Sequence, residues 1–206
     1  MKKQPEDEFI DILTQSYTHI DGVKNNCEHC ELDLGCGSGS FTAGLAKRYP
    51  EAKIFAADVM IGRLRKLARK NQRLGISNMQ LLRVEARHLI AYMLPDEGLD
   101  RLHILCPDPW PKDRHKGHRL VTSDFLSQIH RVLKKGGTFH FSSDDDPYFD
   151  SVTDIVSRSG LFELDDSRLD DIRDIKSDFE VRWLDQGKHV RHHAWKTVDR
   201  PKSCGH

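Results

Sequence analysis

The segment Pro107-Asp108-Pro109-Trp110-Pro111 places a carboxylate and an indole on one short stretch, and Lys112, Arg114, His115, Lys116 and Arg119 follow closely. Three prolines within five residues exclude strand and helix interiors, because each removes a backbone donor and fixes φ. The apolar run before them, Leu102 to Cys106, reads as a buried strand. A rigid loop therefore leaves the carboxyl end of a strand, which is where ligands sit in open α/β sheets. A planar aromatic beside a carboxylate and several cations suits a nucleobase and its phosphates. The plainer alternative is a proline-stiffened surface loop whose Trp covers the core. The density of cations favours the ligand reading.

A second cluster precedes it. Glu31-Leu32-Asp33-Leu34-Gly35-Cys36-Gly37-Ser38-Gly39-Ser40 falls where a strand gives way to a helix. Gly35, Gly37 and Gly39 let the backbone approach a ligand closely and adopt φ values closed to other residues. Ser40 stands where the dinucleotide pattern Gly-x-Gly-x-x-Gly has its last glycine, so the spacing departs from that fingerprint. Asp33, just before the glycines, makes the segment resemble S-adenosyl-L-methionine (SAM) methyltransferases, where a carboxylate here suits the amino group of the methionine portion. Asp58 ends the next predicted strand, nineteen residues after Gly39. A carboxylate at that point accepts hydrogen bonds from ribose hydroxyls.

Pro-Asp-Pro-Trp-Pro-Lys-x-Arg-His at 107–115 resembles the bacterial tRNA (guanine-N7)-methyltransferases, and the resemblance runs from about Glu31 to Trp195. It implies a transfer of methyl from SAM to N7 of a guanine in the tRNA variable loop. On the cofactor side it implies Asp33, Gly35, Gly37, Gly39, Asp58, Glu85 and Asp108. Glu85 replaces the usual Asp that meets the adenine amino group. Asp108 takes the catalytic position. Ser142-Ser143-Asp144 matches the family's Thr-Asp, so Asp144 becomes a second rim carboxylate; Asp145 and Asp146 read as a solvated turn. Lys176-Ser177-Asp178-Phe179-Glu180 resembles the Thr-x-Phe-Glu element, which contacts guanine and sometimes the amino-acid end of the cofactor. Ser177, Asp178, Phe179 and Glu180 are thus expected on the substrate, together with Asp144, Lys112, Arg114 and His115. Further candidate phosphate contacts are Arg63, Arg65, Lys66, Arg69, Lys70 and Arg73, and also Lys116 and Arg119. Where the family often carries an unbroken Lys-Arg-Arg, this chain has Gly117-His118-Arg119. Fewer fixed cations should weaken RNA binding.

The elements that would position these residues alternate regularly. Strands are predicted over His29–Leu34, Lys53–Ala57, Met79–Val84, Leu99–Cys106 and Thr138–Ser142. Helices are predicted over Phe41–Tyr49, Met60–Leu74, Ala86–Met93, Ser123–Leu133 and Tyr148–Ser159, with Lys135-Gly136-Gly137 as a stop. Alternation of this kind gives a doubly wound, Rossmann-like α/β fold with a mostly parallel sheet, and the resemblance implies the seven-stranded class I methyltransferase form. A terminal hairpin-like region is expected around Trp183–Trp195. Phe9, Leu13, Tyr17 and Ile20 recur at helical spacing, so residues 7–20 read as an amphipathic helix. The expected organisation is an N-terminal helix and connector over 1–26 and one SAM-dependent methyltransferase domain over 27–206.

With 206 residues, 37% hydrophobic and 31% charged, the composition is that of a globular domain with a full-sized core. No apolar run approaches the roughly 20 residues of a membrane span, and the acidic N-terminus shows no export core. A cytoplasmic protein, monomer or homodimer, with tRNA as partner and no membrane partner is expected. Five cysteines, an odd number, suggest reduced thiols. Cys27-x-x-Cys30 with His29 suggests zinc, but a second pair is lacking and no metal is expected. Cys106 reads as core, and His189, His192 and His193 as a strand face that touches RNA. Net charge is zero, yet Asp144–Asp185 holds fourteen acidic and five basic residues. Either the molecule has separate acidic and basic parts, or the two intermingle in space. Two other functions stay open: a SAM-dependent enzyme of the same lineage acting on another RNA or a small molecule, and a non-catalytic RNA-binding paralogue.

Overall fold

Strands buried on both faces need apolar residues at consecutive positions, and five runs supply them. They form β2 (Cys30–Leu34), β3 (Lys53–Asp58), β4 (Met79–Arg83), β5 (Leu99–Leu105) and β6 (Leu133–Ser143) in a computed structural model that describes residues 4–13, 20, 28–110 and 117–199. All five run parallel, in the order β4-β3-β2-β5-β6. The strand order reverses between β2 and β5, which creates a crevice at their carboxyl ends. Beyond β6 lie two antiparallel strands, β8 (Arg191–Thr197) and then β7 (Phe162–Leu164).

Helices cover both faces. The period-2 alternation of β3 sends Ile54 and Ala56 to one side and Phe55 and Ala57 to the other. Ile54 packs with Phe41 and Leu45 of α1 (Ser40–Arg48), and Ala56 with Leu64, Leu67 and Ala68 of α2 (Ile61–Leu74). Phe55 and Ala57 join the larger core beneath α3 (Ala86–His88), α4 (Ser123–Val132) and α5 (Asp146–Ser159). A last helix, α6 (Asp178–Asp185), stands above the sheet's carboxyl edge.

Four expectations need correction. The sheet has eight strands rather than seven, because Ile10–Ile12 forms β1, parallel to β4 at the sheet edge. Those residues were expected in a helix over 7–20. Pro5–Phe9 is instead a 3-10 turn whose Glu6 and Asp7 pair with Arg69 and Arg65 of α2. Residues 14–19 lie outside the described residues. Trp183 belongs to α6 and not to a hairpin. The glycines at 136–137 also fail to act as a helix stop: the chain turns into β6 directly at Leu133, which pairs with Leu99 across a register shift.

Candidate active site

The glycine segment folds as a left-handed turn, with φ values of 86°, 57° and 74° at Gly35, Gly37 and Gly39. Backbone amides of Gly35 and Cys36 both donate to Ala57 O (2.8 and 3.0 Å), which fastens the turn to the end of β3. A Cβ on Gly35 or Gly37 would meet no atom within 4 Å, so this side of the turn is open. A Cβ on Gly39 would lie 2.4 Å from the Leu67 side chain, so that glycine lets α1 and α2 approach.

Two connected hollows occupy the carboxyl edge. The larger, about 640 Å³, is bounded by Asp58, Glu85, Asp108 and Asp144 from four successive strand ends, with Phe179 and Trp183 of α6 opposite. The smaller, about 240 Å³, opens over Asp33, Gly37, Ser40, Lys66, Ser177 and Asp178, and the two share Gly35, Arg63, Leu105 and Phe179. Their combined size suits a ligand of nucleoside dimensions.

The carboxylates differ in surroundings. Asp33 is buried and accepts a hydrogen bond from Thr42 Oγ1; burial pushes its pKa up to about 6 against the opposing effect of that bond. Asp58 accepts from the amides of Gly37 (3.1 Å) and Met60 (2.7 Å) and lies 3.3 Å from Arg63. Glu85 caps α3 by accepting from His88 N (2.8 Å). Asp108 is exposed and accepts only weakly from Trp110 N, at 3.2 Å. It stands between Cys106 (φ 45°) and Trp110 (φ 44°), both in the left-handed region that non-glycine residues rarely enter. Such backbone strain clusters where surrounding structure over-determines a functional turn. Asp144 is exposed on the same rim. Asp145, expected in a solvated turn, instead caps α5 through Tyr148 N (2.8 Å), and Asp146 pairs with Arg191 (3.3 Å).

On α6, Ser177 caps the helix by accepting from Glu180 N (3.1 Å). Asp178 closes over the glycine turn, accepting from Ser40 Oγ (2.5 Å) and Ser40 N (3.3 Å). It thereby satisfies an amide at the first turn of α1 that has no partner inside its own helix. Glu180 turns away from both hollows: it is buried against Lys176 (2.6 Å) and His192 (3.2 Å). Burial would raise its pKa, but those two partners outweigh it and hold the carboxyl below its usual range.

The expected site residues thus divide. Asp58, Glu85, Asp108, Asp144 and Phe179 meet around one hollow, and Asp33, Gly35, Gly37, Ser177 and Asp178 around the other. Lys112, Arg114, His115 and Lys116 lie outside the described residues. Trp110 packs beside His118, with ring centroids 5.0 Å apart, and does not bound the hollow. Arg119 is buried, donating to Pro109 O (2.9 Å) with its guanidinium 4.7 Å from the Tyr148 ring, so it braces the loop instead of facing phosphate. On α2, Arg65 and Arg69 are engaged by the N-terminal acids, and Lys70 holds Ser40 Oγ (2.8 Å). The acidic stretch is likewise spent on internal pairs: Asp171 with Arg101, Asp174 with Arg48 and Asp166 with His193. The two charge populations therefore intermingle. His192 and His193 do sit on a strand, but both bond inward, to Glu180 and Asp166. Cys30 is disulfide-bonded, so free thiols among the described residues are Cys36 and Cys106. The expectation of reduced thiols is therefore corrected at Cys30, which opens β2. No group of three or more metal-ligating side chains occurs among the described residues, and no described helix is long and apolar enough to cross a membrane.

Trp183 was missed as a lining residue. Its signal was available: it stands four residues after Phe179, so both project from one helical face.

Comparison with known proteins agrees with this geometry. Residues 28–193 match the family model described as "Putative methyltransferase". The chain is 34% identical over 157 residues to a tRNA (guanine-N(7)-)-methyltransferase of Thermotoga maritima, which covers 76% of this chain and about half of the relative's length, 50%. It is 30% identical over 178 residues to a protein of the same name from Neisseria meningitidis, covering 81% of this chain and 69% of that one. Among solved structures, the 16S rRNA methyltransferase KamB superposes with a TM-score of 0.63 at 16% identity, over 86% of this chain and 91% of that one. That likeness establishes the Rossmann-like methyltransferase fold.

Proposed function

We propose the activity that follows from one premise: the chain belongs to the methyltransferase family that includes the tRNA (guanine-N(7)-)-methyltransferases of Thermotoga and Neisseria. The reading is a transfer of a methyl group from S-adenosyl-L-methionine to N7 of a guanosine in the variable loop of tRNA. One observation carries it at the level of this chain. Asp33, Asp58 and Glu85 rise from three successive strands on one side of a crevice, and Asp108 and Asp144 face them from the next two.

The residues present fit the cofactor. Asp58 would hold the ribose hydroxyls and Glu85 the adenine amino group, while Asp33 and the open face of Gly35 and Gly37 would receive the methionine portion. Bound SAM supplies an activated methyl on a sulfonium. Guanine N7 has a free lone pair near neutrality, so no side chain need remove a proton. What remains for the protein is to hold N7 in line with the methyl–sulfur bond. Guanine becomes cationic as methyl transfers, and Asp108, with Asp144 beside it, favours that charge electrostatically. Both also suit the guanine N1 and amino hydrogens. Phe179 and Trp183 give the base an aromatic wall.

A second reading, a SAM-dependent methyltransferase for another RNA or a small molecule, is favoured by the internal use of Arg65, Arg69 and Arg119. Methyl transfer from tritiated SAM to bulk tRNA, with the modified base identified, separates the two. Replacing the variable-loop guanosine by adenosine should abolish transfer and leave tRNA binding largely intact, because phosphates carry most of the affinity. Persistent methylation of the substituted tRNA, or none of either tRNA despite SAM binding, overturns the first reading.

A further inference from the structure

Glu180 is joined to Glu31, on the central strand β2, by three imidazoles that the proposed chemistry does not use. His192 Nε2 lies 3.2 Å from Glu180 Oε1, and His192 Nδ1 lies 3.1 Å from His140 Nε2. His140 Nδ1 is 3.0 Å from His103 Nδ1, and His103 Nε2 is 3.0 Å from Glu31 Oε2. The chain crosses four adjacent strands, β8, β6, β5 and β2. Register explains it: His103 stands directly opposite His140, while Ala194 opposes His140 and Asp33 opposes His103. His192 and Glu31 are each two residues from those partners, hence same-face diagonal neighbours within reach. Glu31, His103, His140 and Glu180 are all buried.

The proton count of this chain is fixed by its geometry. An ionised carboxylate only accepts, so His103 and His192 must each donate from Nε2. Each of the two imidazole–imidazole links also needs one N–H. Four links therefore require four ring protons, and three neutral imidazoles carry three. We propose that the chain holds one proton in excess, and that His103, His140 and His192 thereby act as positioning residues for Glu180 and the first turn of α6.

Three arrangements satisfy every link; one puts both protons on His140, whose burial disfavours a charged ring there, and the other two leave it neutral. In the first of these two, His103 is doubly protonated, donating to Glu31 and to His140 Nδ1, and His140 Nε2–H donates to His192 Nδ1. In the other, His192 is doubly protonated, donating to Glu180 and to His140 Nε2, and His140 Nδ1–H donates to His103. They interconvert when one proton passes from His103 Nδ1 to His140 Nδ1 and another from His140 Nε2 to His192 Nδ1. No proton is gained or lost, and the positive charge moves from one end to the other. The proton belongs to the coupled set and not to one ring. His140 is neutral in both of these arrangements. Burial pushes its pKa well below the ordinary imidazole range, with His103, His192, Arg101 and Lys176 adding to the effect.

The surroundings are consistent with a single positive charge held between two ionised carboxylates. At the Glu31 end, burial opposes ionisation, but hydrogen bonds from His103 and His29 and the nearby Arg101 hold the carboxyl at about 2. Arg101 is itself tied to Asp171, and Asp33 faces His103 from β2. From α1, the Phe41 ring meets His103 and His140 edge-on. At the other end Lys176 pairs with Glu180, Arg173 and Lys176 border a cavity of about 170 Å³ beside His140 and His192, and Cys106 near Glu180 stays a neutral thiol, its pKa pushed up to about 11 by burial. Loss of the excess proton leaves three ring protons for four links, so one buried link goes unmade and the hold on Glu180 loosens.

The consequence for activity rests on reading Ser177–Glu180 as the substrate element; the proton count does not. Histidine 15N NMR of the full, ligand-free chain near neutral pH, assigned with single His→Gln variants, should show four of the six ring nitrogens of these residues protonated, one of them on His140. Three of six overturns the proposal. As pH rises until the count drops to three, amide hydrogen exchange over Asp178–Asp185 should accelerate in step; exchange indifferent to that change overturns the positioning role. H192Q should raise the KM for tRNA several-fold with a smaller change in kcat, and a kcat loss at unchanged KM also overturns it. A wild-type chain that methylates no tRNA would overturn the substrate reading while the proton count and exchange results still decide this one.

Discussion

On the β2–β4 side of the cleft the carboxylates are already bonded by groups close to them in the fold: Asp33 by Thr42, Asp58 by two backbone amides, Glu85 by the first turn of α3. On the β5–β6 side, Asp108 and Asp144 stand exposed, with Asp108 held by one long turn bond in a strained loop. The contrast separates two tasks. A ligand always of the same shape is best met by groups fixed in advance, at little ordering cost on binding. On the proposed reading a base delivered on a large RNA enters from solvent, so its partners would stay accessible. Rigidity on one side and exposure on the other are what a cleft with one resident and one visiting ligand requires.

The sharpest way to break this comparison is Asp108→Asn. The amide keeps the size and the turn bond but removes the charge opposite a guanine that becomes cationic. Turnover on tRNA should fall roughly 10²-fold or more, the scale of losing one preorganised electrostatic group, with SAM affinity unchanged by calorimetry. Wild-type turnover would move the active centre elsewhere. On the other side, Asp58→Ala should raise the SAM dissociation constant roughly tenfold or more, since a charge-assisted hydrogen bond contributes about 1.5–3 kcal/mol. Far-UV circular dichroism should be unaltered, because a strand-end carboxylate does not build the core. Equal loss of turnover and no loss of SAM affinity would dissolve the division into two sides.

That same division governs how much could be read from the residues alone. The β2–β4 side lies within one local stretch per strand, so Gly35, Gly37 and Asp58 follow from spacing and Asp33 and Glu85 from the family resemblance, and all border the cleft. The α6 side depends on packing. Ser177-Asp178-Phe179-Glu180 was identified, yet Glu180 turns inward because His192, on a distant strand, competes for it. At the N-terminus, Phe9 and Leu13 carry a helical period, but the free edge of β4 offers Ile10–Ile12 a parallel partner some seventy residues ahead. Arg65 and Arg69 then draw in Asp7 and Glu6. No local pattern announces contacts at such separation.

The smallest expected effect concerns the most enclosed carboxylate of the fixed side. Burial pushes Asp33 up to about 6, so below that pH it is largely the neutral acid. The sign for folding follows: with its pKa above the ordinary carboxylate value of about 3.9, this group favours the fold most at acid pH, and that contribution is lost as pH rises through about 6. Ligand binding should run the other way. Only the ionised form attracts the ammonium of a methionine moiety, so SAM affinity should rise by up to about tenfold per pH unit on approaching the midpoint and level off above it. Thr42→Val removes the donor that stabilises the carboxylate, so its midpoint should move to higher pH while the plateau affinity changes little. Titration calorimetry of both proteins across that range reads the two midpoints directly. Coincident midpoints would show that Thr42 does not tune Asp33, and a flat wild-type profile would show that Asp33 is ionised throughout and set by the site rather than by burial.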